Sequence, residues 1–202
     1  MRERFDGFEL DWTFGATSGP APAMRLDYAI TAHEELYVAD RLWDYTRQGA
    51  RIADPHGVYR FVRDGSLRLL FGQAPWPSNL SLRVVYTPLY SRVRAGETRR
   101  GEVLLPAPVD EYSSLARDLR APSVIEHVAR ATLILEHRLR RTMHEDPRPP
   151  IEERAEEVGY IVHDPSRAIS TTQTAPFAVR RRTSYVARVA LPGEPGPGPY
   201  PL

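Results

Sequence analysis

The stretch from Phe8 to Phe14, FELDWTF, decides the fold, because its large apolar side chains occupy every second position. Side chains of a β-strand point alternately to the two faces of a sheet, so one face of this strand is apolar and the other is polar. The same alternation returns in Met24 to Ile30, MRLDYAI. Two such strands predict an antiparallel sheet with one face on a core and the other in water.

The dipeptide Asp64-Gly65 predicts a tight β-hairpin between Val58–Arg63 and Ser66–Phe71. Asp-Gly accepts the two consecutive left-handed backbone conformations that a two-residue hairpin turn requires. Residues 49–57 are predicted to be irregular. Further strands are predicted from alternation and from flanking turn residues at Leu36–Trp43, Leu82–Tyr86, Thr98–Leu105 and within Phe177–Leu191.

The segment from Ser123 to Arg141 supports two interpretations. Ser123 and Glu126 form a capping box, and the content of Ala, Leu, Glu and Arg favours a helix. Alternating apolar residues favour a strand instead: Ala129, Ala131, Leu133 and Leu135. We favour a strand over Val128–Leu139 because strands precede it along the chain.

About eight short strands without a β-α-β rhythm predict a mainly β protein, an antiparallel immunoglobulin-like β-sandwich. One or two short helices are expected, at Asp110–Leu119 and Ile151–Val158. The alternative is an α+β fold with a helix at 123–141. Residues 1–191 are interpreted as one domain with an N-terminal strand, and residues 192–202, rich in Pro and Gly, as a flexible tail.

Five segments between residues 24 and 140 follow one another in a recognisable order. They are the strand MRLDYAI, a strand ending in DRLW, the Asp-Gly hairpin, the turn RVRAGET and the segment LPAPVDEY. This order resembles bacterial immunoglobulin-like β-sandwich domains of unknown function, although the chain lacks the cysteine pair and tryptophan spacing of true immunoglobulin domains. The resemblance implies a binding scaffold without chemistry.

Composition removes several classes of function. All 27 basic residues are arginine and the chain has no cysteine, which excludes lysine Schiff bases, a P-loop lysine, thiolate nucleophiles and disulfides. The net charge of +1 creates no strong field for nucleic acid or anionic membranes. No apolar stretch reaches the roughly 18 residues of a membrane helix. We expect a cytoplasmic protein that does not bind membranes, and we favour a protein or peptide over nucleic acid as its partner.

Candidate catalytic and metal-binding residues do not converge in the sequence. The pairs Glu126-His127 and Glu136-His137 are ten residues apart, a separation of roughly 30 Å along a strand. No Gly-x-Ser-x-Gly motif is present. Asp54-Pro55-His56 places an acid beside an imidazole, but such a pair is typical of a turn. The sequence therefore predicts no catalytic residue, no metal site and no cofactor.

Two features are candidates for binding. Arg180, Arg181 and Arg182, followed by Tyr185, could hold phosphate or carboxylate groups through their guanidinium forks, or could simply be a charged edge strand. Trp76 lies between two prolines and could anchor a partner, or could close one end of the core.

These observations favour a non-catalytic binding or accessory protein that recognises a protein or peptide partner. An exposed sheet edge could accept a peptide as an added strand. The second hypothesis is an enzyme with a spatially assembled polar site that acts on a peptide or small molecule in a bacterial biosynthetic pathway. The third is a structural homo-oligomer.

Overall fold

The computed structural model describes residues 1–17, 23–45, 51–63, 65–72, 89–113, 124–125, 130–142, 170–175 and 177–178. Within these ranges the chain forms short and medium β-strands and a single turn of 3-10 helix at Arg140–Thr142. The strands are β1 (Arg2–Phe5), β2 (Phe8–Ala16), β3 (Ala23–Ala32), β4 (Leu36–Val38), β5 (Trp43–Tyr45), β6 (Arg51–Ala53), β7 (Tyr59–Arg63), β8 (Ser66–Phe71), β9 (Ser91–Val93), β10 (Thr98–Pro106), β11 (Arg130–Leu139), β12 (Ser170–Gln173) and β13 (Phe177–Ala178).

The first sheet has four antiparallel strands in the order β1-β2-β3-β10. Leu10 lies opposite Ile30 and Trp12 opposite Tyr28, so the apolar positions of β2 and β3 share one face. The predictions of strands at Phe8–Phe14 and Met24–Ile30 are confirmed. So is the strand at Thr98–Leu105, which continues through Pro106.

The second sheet is mixed. Its order is β7-β8-β11-β4-β9, and both β12 and β13 pair with β11. The β8–β11 pair is parallel, whereas the other pairs are antiparallel. The prediction of purely antiparallel pairing is therefore wrong for this sheet. A parallel pair needs a long crossover, and the chain between β8 and β11 includes β10 of the other sheet.

The predicted hairpin around Asp64-Gly65 is confirmed. Strands β7 and β8 pair antiparallel, with Arg63 opposite Ser66. Gly65 has a φ of 66°, the left-handed conformation that this turn requires.

The strand predicted over Leu36–Trp43 is two strands in different sheets. β4 ends at Val38, and Trp43 begins β5, which pairs with β6 in a two-stranded sheet. The prediction was wrong because residue 40 is a buried aspartate, whose carboxylate is held by neighbouring side chains. β6 itself, Arg51–Ala53, lies in the stretch predicted to be irregular.

The segment at 123–141 is a strand from Arg130 to Leu139, and the helical alternative is wrong for these residues. Ala131, Leu133 and Leu135 are each 0% exposed, on the face that meets the first sheet. β11 has partners on both edges, since His137 lies opposite Val38 and also opposite Ser170. Hydrogen-bonded pairing along both edges of β11 and packing of one face outweigh the helix propensity of this segment.

The predicted short helices are not found in the described residues. At the start of Asp110–Leu119, Asp110 forms a bridge with Val124 and Tyr112 with Arg60, so this part is extended. Residues 114–119, the predicted helix at Ile151–Val158 and the predicted strand at Leu82–Tyr86 lie outside the described residues. No helix within the described ranges has the length and apolar character needed to cross a membrane.

One apolar core lies between the two larger sheets. The ring of Tyr28 in β3 is 5.3 Å from that of Phe71 in β8, and the ring of Phe8 is 5.0 Å from that of His137 in β11. Trp12, Leu26 and Leu69 are among its fully buried side chains. The two sheets therefore pack face to face. Among the strands of the described residues, β1 and β10 lie outermost in the first sheet.

Candidate functional site

Strand β10 presents two different faces. Arg99, Gly101, Val103 and Leu105 point toward the second sheet, and Val103 and Leu105 are buried. The alternate residues are exposed to solvent: Thr98, Arg100, Glu102, Leu104 and Pro106. Leu104 is 51% exposed, a large apolar side chain on a polar surface.

The backbone of β10 also alternates in the direction of its hydrogen-bonding groups. The Ala32 N–H donates to the Glu97 carbonyl at 3.0 Å, so Glu97 directs its carbonyl toward β3. In an antiparallel pair, hydrogen-bonding residues alternate with residues whose N–H and C=O point away. Four residues of β10 therefore direct both groups away from β3: Thr98, Arg100, Glu102 and Leu104. Among the described residues, no strand pairs with this side of β10.

A shallow groove of about 610 Å³ crosses the outer face of the first sheet and ends at β10. Asp11, Asp27 and Glu102 line it with Arg100, and Ala29 of β3 is also among its lining residues. Arg25 bridges two of these carboxylates, at 2.8 Å from Asp27 and 2.9 Å from Glu102. The surface next to the β10 edge is therefore polar and carries charges of both signs.

The inner face of β10 is fixed by Tyr28. A Cβ atom on Gly101 would lie 2.1 Å from Cζ and from the hydroxyl oxygen of Tyr28, so the tyrosine ring fills the space that a side chain would take. The Tyr28 hydroxyl donates to the backbone carbonyl of Asp40. Burial, together with the nearby Asp40 carboxylate, raises the pKa of Tyr28, which keeps the hydroxyl protonated as a donor.

Asp40 joins β10 to the second sheet. Its side chain is 1% exposed, and the guanidinium of Arg99 donates to one carboxylate oxygen while the Ser91 hydroxyl donates to the other at 2.7 Å. Arg41 approaches the same carboxylate at 4.0 Å and lies over the ring of Trp43. Removal of either arginine or hydroxyl donor would leave this buried carboxylate without full compensation, which is strongly destabilising. These contacts hold the inner face of β10 against the second sheet. They do not involve the backbone groups that point away from β3.

Two other buried carboxylates have structural partners. The Tyr90 hydroxyl donates to Glu136 in β11, and burial raises the pKa of Tyr90. Asp54 accepts the His56 backbone N–H at 2.8 Å and the Tyr112 hydroxyl at 2.5 Å. The interpretation of Asp54-Pro55-His56 as a turn is confirmed, because the carboxylate bonds the backbone of the turn.

The structure tests none of the binding residues that the sequence predicts. Arg180, Arg181, Arg182, Tyr185 and Trp76 all lie outside the described residues, so their roles stay predictions. Within the described part of the chain, no three side chains of His, Asp or Glu come together as metal ligands would.

Comparison of the chain with protein-family models, with curated proteins and with solved structures gave no match in any of the three.

The β10 edge was not predicted from the sequence as a candidate site. Its alternation was recognised, but alternation does not show which strand lies outermost in a sheet. One signal was available, since Pro106 lacks an N–H and proline is confined to edge strands or strand ends. Glu102 and Arg100 also match the charged residues that edge strands commonly carry.

Proposed function

We propose that this protein is a non-catalytic binding protein that recognises a protein or peptide partner by adding a strand to the edge of β10. The observation that carries this proposal is the row of N–H and C=O groups on Thr98, Arg100, Glu102 and Leu104, directed away from β3. In strand addition, backbone hydrogen bonds supply affinity and alternate side chains supply specificity. The exposed Leu104 supports the proposal, because it offers apolar contact on the same edge.

The rigidity of β10 favours such binding. The strand pairs with β3 along its whole length, from Thr98 opposite Thr31 to Pro106 opposite Ala23. Arg99 is fixed to the buried Asp40 on the inner side. A template that is already ordered loses little conformational entropy when a partner pairs with it.

We also propose that the two packed sheets belong to the immunoglobulin-like class of sandwiches. Support comes from the order of the segments, in which MRLDYAI lies in β3 and the Asp-Gly turn joins β7 to β8. RVRAGET covers the end of β9 and the turn into β10. The parallel pairing of β8 with β11 is the feature that a purely antiparallel arrangement would not have.

Substitution of Glu102 by proline is expected to abolish partner capture from native cell extract. Proline removes an N–H that points away from β3, so the ladder to β3 is kept while one bond to an added strand is lost and the pyrrolidine ring blocks its approach. Affinity capture followed by identification of bound proteins measures the effect. Glu102→Ala, which keeps the N–H, is the matched control and should still capture the partner.

Capture at low and at high salt separates the alternatives. Strand addition is supported if wild type and Glu102→Ala retain a bound protein at high salt and Glu102→Pro does not. Equal capture by all three proteins, with Glu102→Pro folded by circular dichroism, overturns it. Nucleic acid that is recovered at low salt and released by high salt would instead favour the Arg180–Arg182 segment.

A further inference from the structure

The charges along the outer side of β10 are self-complementary. Thr98, Arg100, Glu102 and Leu104 all direct their backbone groups outward, and Arg100 and Glu102 lie on either side of Gly101. If two copies of β10 pair antiparallel around a twofold axis at Gly101, each Arg100 lies opposite the partner's Glu102. Both charge pairs form at once, because a twofold axis repeats every contact.

The hydrogen-bonding pattern allows this register. Residues that face each other across the twofold axis, such as Arg100 and the partner's Glu102, both direct their N–H and C=O outward and can exchange two hydrogen bonds. Gly101 then faces the partner's Gly101 as a non-hydrogen-bonded pair, the closer of the two spacings, where the absence of a side chain removes any clash. Pairing ends near Pro106, which has no N–H to give.

Neighbouring registers are less favourable. An axis at Arg100 places two arginines opposite each other, and an axis at Glu102 places two carboxylates opposite each other. Like charges directly opposite on a sheet are destabilising. An axis at Arg99 or Val103 forms no pair between Arg100 and Glu102. Charge therefore selects the axis at Gly101.

We propose that the occupant of the β10 edge is a second copy of this chain, paired antiparallel about Gly101 so that the two four-stranded sheets form one continuous sheet. This inference rests on the proposed function, because it names the partner for the same edge. Glu102 already contacts Arg25 of its own chain at 2.9 Å. A carboxylate has acceptor sites for more than one donor, so the partner's Arg100 can bind as well.

Charge exchange tests the register. Arg100→Glu and Glu102→Arg, each alone, should weaken self-association at least about tenfold, because both opposite pairs become like-charged. A mixture of the two variants should associate as a heterodimer, and the double variant Arg100→Glu/Glu102→Arg should associate on its own. Analytical ultracentrifugation over a wide concentration range measures each case, and thermal unfolding confirms that the variants are folded.

The matched control is Arg4→Glu in β1, at the opposite edge of the same sheet. It changes the net charge as Arg100→Glu does and should leave association unchanged. The proposed register is overturned if Arg4→Glu weakens self-association as much as Arg100→Glu does. It is also overturned if the mixture of Arg100→Glu and Glu102→Arg does not restore association. A wild-type protein that is monomeric at all concentrations overturns self-pairing altogether. The capture experiment with Glu102→Pro then still decides whether another partner uses the edge.

Discussion

Gly101→Ala is expected to lower the free energy of unfolding by about 3 kcal/mol, because it combines overpacking with the loss of a buried hydrogen bond. The new Cβ would lie 2.1 Å from Cζ and the hydroxyl oxygen of Tyr28. The tyrosine ring must move away, yet it packs against Phe71 and donates to the Asp40 carbonyl. The usual gain from replacing glycine in a strand is less than about 1 kcal/mol and does not offset this cost. Equilibrium urea unfolding measures the difference.

A double-mutant cycle with Tyr28→Ala shows whether the clash is the cause. In the Tyr28→Ala background the space beside Gly101 is empty, so Gly101→Ala should cost little or should stabilise slightly. Gly96→Ala is no substitute as a control, since Gly96 has a φ of 81° and would be strained for another reason. An equal cost of Gly101→Ala in both backgrounds would show that Tyr28 does not occupy this position.

Stability is expected to fall by up to about 3 kcal/mol between about pH 6.5 and pH 4 because of His137. The ring is 7% exposed, its Nε2 is 2.8 Å from the Thr172 hydroxyl, and it contacts the ring of Phe8 edge-on. Its Nδ1 has no hydrogen-bond partner within the described structure. Burial, with a smaller contribution from Arg138 and opposed by Asp6, lowers the pKa of His137 to about 4.

The direction of the effect follows from proton binding. Between about pH 4 and pH 6.5 the unfolded chain binds a proton at His137 that the folded chain does not, so acid favours unfolding over this range. The contribution is complete above about pH 6.5 and is lost as the pH falls toward 4. Urea unfolding at several pH values should show a steeper decline for wild type than for His137→Gln. Leu104→Gln, at an exposed residue with no titratable group, should keep the wild-type slope. Equal slopes for wild type and His137→Gln would contradict the buried neutral imidazole.

The two-residue periodicity of apolar side chains predicted the strands that have one face on the core and the other in solvent. Apolar and polar side chains alternate in Phe8–Phe14 and Met24–Ile30 because one face of each strand packs on the core. The hairpin was predictable because the dipeptide Asp-Gly favours the left-handed conformation of a tight turn, which Gly65 adopts. The strand at Arg130–Leu139 was ambiguous in sequence, since its partners on both edges come from distant parts of the chain. The break after Val38 was not predicted, because the partners that bury the nearby Asp40, Ser91 and Arg99, come from distant parts of the chain.

The candidate site was less predictable than the fold. Arg180–Arg182 and Trp76 were candidates from the sequence, because clustered arginines and a proline-flanked tryptophan are conspicuous in a linear chain. The β10 edge becomes visible only when the strand order is known. Its features, the outward backbone groups and the exposed Leu104, come from the position of the strand in the sheet rather than from a motif.

Amide hydrogen exchange along β10 tests the central claim most directly. In dilute protein, the amides of Thr98, Arg100, Glu102 and Leu104 should exchange rapidly, whereas those of Arg99, Gly101, Val103 and Leu105 should be protected by β3. At concentrations where the partner strand is bound, the first group should become protected too. Equal protection of both groups in dilute, monomeric protein would show that the edge is already paired within the chain, which would contradict the account.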